Sequence, residues 1–207
     1  FFREALRRDP EDQRCNLALG RTHFRRAEYA AAEACFRAAV RRVTRHNPNP
    51  LDGECHYDLG LALAAQGRLD EAENAFWKSP WRTERQDAAY FELGRIATAK
   101  HDWPEAERVL RHCLERNANH HQATHLLCFV LETAGRREAM LELAAAELAR
   151  DPFNFGVLFE QALATGDWKA FDLRIGLSSH NHLEVANDYL AADARERAAA
   201  VLQRLMQ

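Results

Sequence analysis

The side chains best suited to ligate a metal ion fall between residues 112 and 128: His112, Cys113, His120, His121, His125 and Cys128. On a helix His121 and His125 stand four apart, share a face and could pinch a cation, with Cys128 three residues further on. The same stretch also reads as a polar turn followed by an ordinary amphipathic helix, in which Cys128 is a small buried hydrophobe. The five cysteines, Cys15, Cys35, Cys55, Cys113 and Cys128, contain no C-x-x-C pair, which removes the usual zinc and redox signatures, and their odd, scattered placement argues against a disulfide framework. No metal site and no cofactor is therefore expected. Catalytic residues are not assigned either. The chain lacks a Gly-rich phosphate loop, a nucleophile elbow and an H-E-x-x-H motif. Acid pairs such as Asp70 with Glu71, or Glu142 with Glu147, suit solvated helix faces. Trp77, Trp81, Trp103 and Trp168 could stack on sugars, but they are dispersed along the chain and read as core or seam packing.

The elements that would position any site follow a repeat. Leu19-Gly20 is followed by Ala32-x3-Phe36, Leu59-Gly60 by Ala72-x3-Phe76, and Leu93-Gly94 by Ala106-x3-Leu110, with glycine and alanine 12 apart each time. Gly60 and Gly94 are 34 residues apart, whereas Gly20 and Gly60 are 40 apart. The extra residues sit around Pro48 and Pro50, where a helix cannot continue. A fourth unit carries Cys128 in place of the glycine and has a turn one residue short. The pattern predicts pairs of antiparallel helices that cannot bury their apolar faces alone. Small residues at Gly20, Gly60, Gly94, Ala32, Ala72 and Ala106 let paired helices approach, and stacking of neighbouring pairs supplies the core. Gln66-Gly67-Arg68-Leu69-Asp70-Glu71 and His101-Asp102-Trp103-Pro104-Glu105 both spell tight helix-to-helix turns.

These residues resemble the tetratricopeptide repeat family over most of residues 1–150, and more loosely beyond. The resemblance implies an all-α fold, a right-handed α-solenoid of antiparallel helix pairs. The expected organisation is the end of a preceding repeat helix at 1–10, repeats at 11–46, 47–82 (with a Pro-rich entry), 83–118 and 119–152, a degenerate fifth at 153–179, and a capping helix pair at 180–207. The opening residues read as the tail of an earlier helix, so the chain is expected to be cut from a longer protein. A narrower resemblance, carried by Arg45-His46-Asn47-Pro48-Asn49-Pro50-Leu51-Asp52-Gly53-Glu54, is to the repeat region of large bacterial proteins with an upstream β-rich domain. It implies an alternative role as a non-catalytic accessory region of a larger bacterial enzyme, with carbohydrate as the candidate substrate class.

In the family, first helices line a concave groove, and ligand-facing positions fall three before the glycine and just after it. By that correspondence the groove residues are Leu17, Arg21, Tyr57, Leu61, Phe91, Arg95, His125 and Phe129. The mixture suits a peptide with apolar anchors and a carboxylate or phosphate that Arg21 or Arg95 could pair bidentately. The Lys and Asn clamp used by relatives that grip acidic chaperone tails is absent, since Leu17, Arg21 and Asp58 hold the corresponding places. The expected function is thus a protein-interaction scaffold, not an enzyme, and the expected partner is an unidentified protein or peptide.

Composition narrows the partner class. The net charge is −3 from 28 basic and 31 acidic residues, and the mean hydropathy is −0.50. Residues 1–50 hold 11 Arg, but six acids interrupt them, so a nucleic-acid stripe is not expected. No apolar run reaches membrane-spanning length, and residues 1–4 lack the layout of a secretory signal. A cytoplasmic location is expected, with self-association through the array ends as a further option.

Overall fold

Several helices begin on a side chain that closes their first turn. Asp12 accepts from the Cys15 amide at 2.7 Å, Asp102 from Glu105 at 3.2 Å, Asn154 from Val157 at 3.3 Å and Ser178 from Asn181 at 3.4 Å. Pro104 sits in the first turn of its helix, where its missing N–H costs nothing. The structure, a computed structural model, describes residues 2–45, 53–79, 86–176 and 178–206. The Pro-rich connection, Trp81 and Phe1 lie outside them. Among the described residues all regular structure is helical: α1 (Phe2–Arg8), α2 (Gln13–Arg25), α3 (Tyr29–Thr44), α4 (Glu54–Ala64), α5 (Leu69–Lys78), α6 (Gln86–Ala99), α7 (Trp103–Arg116), α8 (His121–Thr133), α9 (Arg137–Arg150), α10 (Phe155–Thr165), α11 (Lys169–Ile175), α12 (Ser179–Ala191) and α13 (Arg195–Leu205). The fold is all-α, built from helix pairs. None of these helices is long and apolar enough to cross a membrane.

Two compact units divide the chain, Phe1–Tyr90 and Phe91–Gln207. Within each unit a glycine on the first helix of a pair lies under a large side chain of the second. A Cβ at Gly20 would meet Phe36 at 2.5 Å, one at Gly60 would meet Phe76 at 2.6 Å, and one at Gly94 would meet Leu110 at 2.5 Å. The Ala-x3-Phe spacing puts Ala32 and Ala72 one turn before those rings, and both alanines are fully buried. In the fourth pair Cys128 fills the small-residue place and is buried, as are Cys55 and Cys113, whereas Cys15 and Cys35 are half-buried. Burial pushes the Cys128 thiol far above its ordinary range, so it packs as a hydrophobe. In unit 1, Glu33 of α3 ties successive pairs together by accepting from Arg37 at 2.7 Å, Gln66 at 2.9 Å and Arg68 at 2.8 Å.

The turns inside the pairs share one device. Ala27, Gly67, His101, Gly135, Gly166 and Asp193 all take the left-handed conformation, with φ between 57° and 76°. In five of these turns the amide that follows the left-handed residue reaches back five residues, as Glu28 does to His23 at 3.0 Å and Arg136 to Leu131 at 2.8 Å, which satisfies a terminal carbonyl. Only half of these positions are glycine. The exposed Ala27 pays the left-handed penalty for a residue with a Cβ, about 1–2 kcal/mol, which exceeds the extra backbone entropy that glycine would lose. Ala27→Gly is therefore expected to stabilise unit 1 by about 0.5–1 kcal/mol, read as a higher denaturant midpoint at unchanged slope.

Candidate partner-binding surfaces

In unit 1 the first helices α2 and α4 present one continuous patch. Leu17 is buried at its base. Arg21 reaches across from α2 to α4, with Nε 2.7 Å from Asp58 and Nη2 2.6 Å from Glu54. Burial works against the Arg21 charge, but the two carboxylates outweigh it and hold the guanidinium protonated. Tyr57 lays its ring 5.7 Å from that of Phe76. Leu61 is half-buried and, with Arg21, Phe24, Arg25, Phe36 and Asp58, lines an open pocket of about 270 Å³. Arg25, one turn beyond Arg21, is exposed and forms no ion pair among the described residues. The structure thus brings Arg21 and Leu61 together, spends the charge of Arg21 inside the protein, and adds Phe24 and Arg25. The i, i+4 step from Arg21 to Arg25 was the available signal for the latter.

In unit 2 three of the corresponding residues, Arg95, His125 and Phe129, meet the chain's own last helices. Phe91 packs on the His120 ring at 4.6 Å. Arg95 donates to Glu92 at 2.8 Å and, through Nε and Nη2, to the Ala191 carbonyl at 3.1 and 2.7 Å. His125 is buried with its ring 4.5 Å from that of Tyr189. It can lie there because α10 offers a glycine, since a Cβ at Gly156 would sit 2.3 Å from the imidazole. Phe129 packs edge-on against Tyr189 at 5.7 Å and Trp103 at 6.2 Å, and Arg197 covers its face at 5.4 Å. The Tyr189 hydroxyl donates to Glu160, a carboxylate with no solvent exposure that also faces Arg197 at 3.4 Å. Burial raises the Glu160 pKa, and burial together with the adjacent carboxylate raises that of Tyr189, so the phenol remains a donor. Glu160 was visible in the sequence as one acid inside the apolar run Val157 to Leu163.

The histidines do not converge as a His121, His125, Cys128 set. His125 turns toward α12. His121 instead approaches Glu147 at 3.0 Å and Asp151 at 3.3 Å, a group whose ligand atoms are close enough to hold a cation. Glu147 is already engaged: it accepts from Asn154 at 3.1 Å and from Arg150. Burial pushes its pKa up, yet the hydrogen bonds from His121, Asn154 and Arg150 win and leave it below the usual 4.5. A depressed folded-state pKa contributes stability that is complete above the unfolded value and is lost as pH falls through the folded one. Glu147→Gln is therefore expected to flatten the acid-side loss of unit 2 stability below about pH 4.5, checked by thermal melts of both proteins from pH 7 to pH 3.

The tetratricopeptide repeat family matches this sequence at residues 2–42 and again at 17–78. Residues 2–78 carry tetratricopeptide repeats. Solved structures of the same fold extend the likeness over the whole length. YrrB, described as a TPR protein with an unusual peptide-binding site, is 16% identical with a TM-score of 0.66, covering 98% of this chain and 97% of its own. MamA is 17% identical with a TM-score of 0.61, covering 87% and 96%. PilF of Pseudomonas aeruginosa is 16% identical with a TM-score of 0.62, covering 96% and 91%. At such identities the likeness concerns the fold. Of the groove residues expected from the sequence, Leu17, Arg21, Tyr57 and Leu61 belong to unit 1, and Phe91, Arg95, His125 and Phe129 to unit 2.

Proposed function

We propose that this chain is an interaction scaffold that holds a peptide segment of a partner protein against the first helices of unit 1. The observation that carries this reading is the pocket of about 270 Å³ between α2 and α4, with apolar walls from Phe24, Phe36 and Leu61 and an exposed Arg25 at its rim. Arg21 is neutralised by Glu54 and Asp58, so it shapes the pocket, and Arg25 supplies the charge that a ligand would meet. The matching ligand has an apolar anchor for the cavity and a carboxylate within reach of Arg25, a geometry in which a guanidinium pairs bidentately. The description of YrrB as a TPR protein with a peptide-binding site is consistent with a peptide as the class of ligand.

Selection of a displayed random-peptide library on the whole chain tests the reading. Recovered peptides are expected to combine an acidic residue with a large apolar one. Arg25→Glu is expected to weaken them at least tenfold, about 1.4 kcal/mol, and Leu61→Glu to remove them, with the helical circular dichroism unchanged. Peptides indifferent to both substitutions would place the binding elsewhere.

A further inference from the structure

The inner face of unit 2 is already occupied. Side chains from three first helices, separated from one another along the sequence, all meet the hairpin made by α12 and α13. Arg95 of α6 donates twice to the Ala191 carbonyl at the end of α12, Gln122 of α8 donates to Asp188 at 2.7 Å, and His125 and Phe129 of α8 hold the ring of Tyr189 together with Phe159 of α10. Each contact uses a feature that any suitable helix could present. A cation at a helix C-terminus is favoured by the free carbonyls and the dipole there, whatever the side chains. The aromatic cage ends on the Glu160 carboxylate, which asks for a hydroxyl donor and so distinguishes tyrosine from phenylalanine.

Other features mark this as a seat for a detachable segment. Two polar atoms beneath the hairpin, His125 Nε2 and Glu160 Oε2, are buried without a hydrogen-bond partner among the described residues, so the docked state leaves polar capacity unspent. The chain enters α12 just after Gly176, an exposed residue at φ 62° and ψ −159°, a conformation open only to glycine and therefore suited to a pivot. The hairpin also holds α11 through Arg204 on Asp172 and His182 against Phe171, contacts that must part along with the rest.

We propose that the inner face of unit 2, formed by Arg95, Gln122, His125, Phe129 and Glu160, is a receptor for an amphipathic helix with a tyrosine anchor two residues before its C-terminal end. The α12–α13 hairpin is its resident occupant, and a partner helix of the same chemistry takes the seat when the hairpin swings out. This site is independent of the unit 1 pocket, and neither reading depends on the other.

A fluorescein-labelled peptide of residues 178–206 is the probe, titrated by anisotropy into the full chain. Binding to a Tyr189→Ala chain, whose own hairpin has lost its anchor, is expected to be at least tenfold tighter than to the wild-type chain. A probe carrying Tyr189→Ala is expected to lose that binding, and adding Arg95→Ala to the Tyr189→Ala chain to weaken it by tenfold or more. Equal affinity for wild-type and Tyr189→Ala chains, or no binding to either, overturns the proposal. Hydrogen exchange on the wild-type chain decides the matter even if the Tyr189→Ala chain does not fold. Amides of α12 and α13 are expected to exchange at least tenfold faster than those of α8 and α10, and exchange of all four helices at one rate shows an inseparable last repeat and overturns it.

Discussion

Alanine at position 60 is expected to destabilise unit 1 by about 2 kcal/mol in the wild-type chain and to stabilise it in a chain that already carries Phe76→Ala. Two effects oppose each other at this site. Alanine in a helix interior is favoured over glycine by about 1 kcal/mol. Against that, the new Cβ would lie 2.6 Å from Phe76 Cε1 and 2.8 Å from Cδ1, and the ring cannot step aside because it is fully buried and faces Tyr57. Overpacking of this kind costs about 1–3 kcal/mol, occasionally more, so the clash decides the sign. Removing the ring is itself expensive, about 3–5 kcal/mol, but it empties the space above Gly60 and leaves only the propensity gain. A double-mutant cycle by urea denaturation reads this directly. The expected signature is a reversal of sign for Gly60→Ala between the two backgrounds, and parallel effects in both would mean that the close approach does not govern the pair.

Phe159→Ala should have the largest effect in unit 2. The ring has no exposed surface and stands at the centre of an aromatic cluster, 5.6 Å from Trp168, 5.5 Å from Phe171 and 6.1 Å from Tyr189. Truncation of such a ring costs about 3–5 kcal/mol, against a total of about 5–15 kcal/mol for an ordinary domain. Unit 2 would be left near its unfolding threshold, while Phe159→Leu, which keeps most of the volume, should cost under about 1.5 kcal/mol. The fluorescence of Trp168, which touches the substituted ring, reports the loss locally, and an unchanged transition would rule out the cluster as the keystone of this unit.

The parts of the fold that were legible in the sequence are those set by short-range spacing. Leu-Gly followed 12 residues later by Ala-x3-Phe or Leu encodes both the helix period and the clearance between paired helices, and the clearances at Gly20, Gly60 and Gly94 are what that spacing requires. The Asp102 cap and Pro104 likewise fix their turn locally. The left-handed turns were legible only where glycine marks them, because Ala27, His101 and Asp193 adopt the same conformation without announcing it. The surface chemistry was less accessible. That Arg21 would be neutralised depends on Asp58 and Glu54, residues of the next pair, and no spacing rule within one repeat contains them. The cover over His125 and Phe129 depends on Tyr189 and Arg197 folding back onto α8, a contact between residues some 60 apart in sequence whose signal, a lone Glu160 in an apolar run, states that a partner exists but not which.

The five free thiols give the molecule an internal chemical clock. With Cys15 and Cys35 half-buried and Cys55, Cys113 and Cys128 buried, a thiol reagent under native conditions separates a fast class from a slow one. The slow class is divided between the units, Cys55 in the first and Cys113 with Cys128 in the second. Mass spectrometry of the modified chain therefore tells which unit has opened without engineering a reporter residue. Cys128 feels the charge of Glu160, the carboxylate on which Tyr189 rests. Its alkylation rate, measured against that of Cys113, therefore reports on openings around that carboxylate in a chain with no substitution at all.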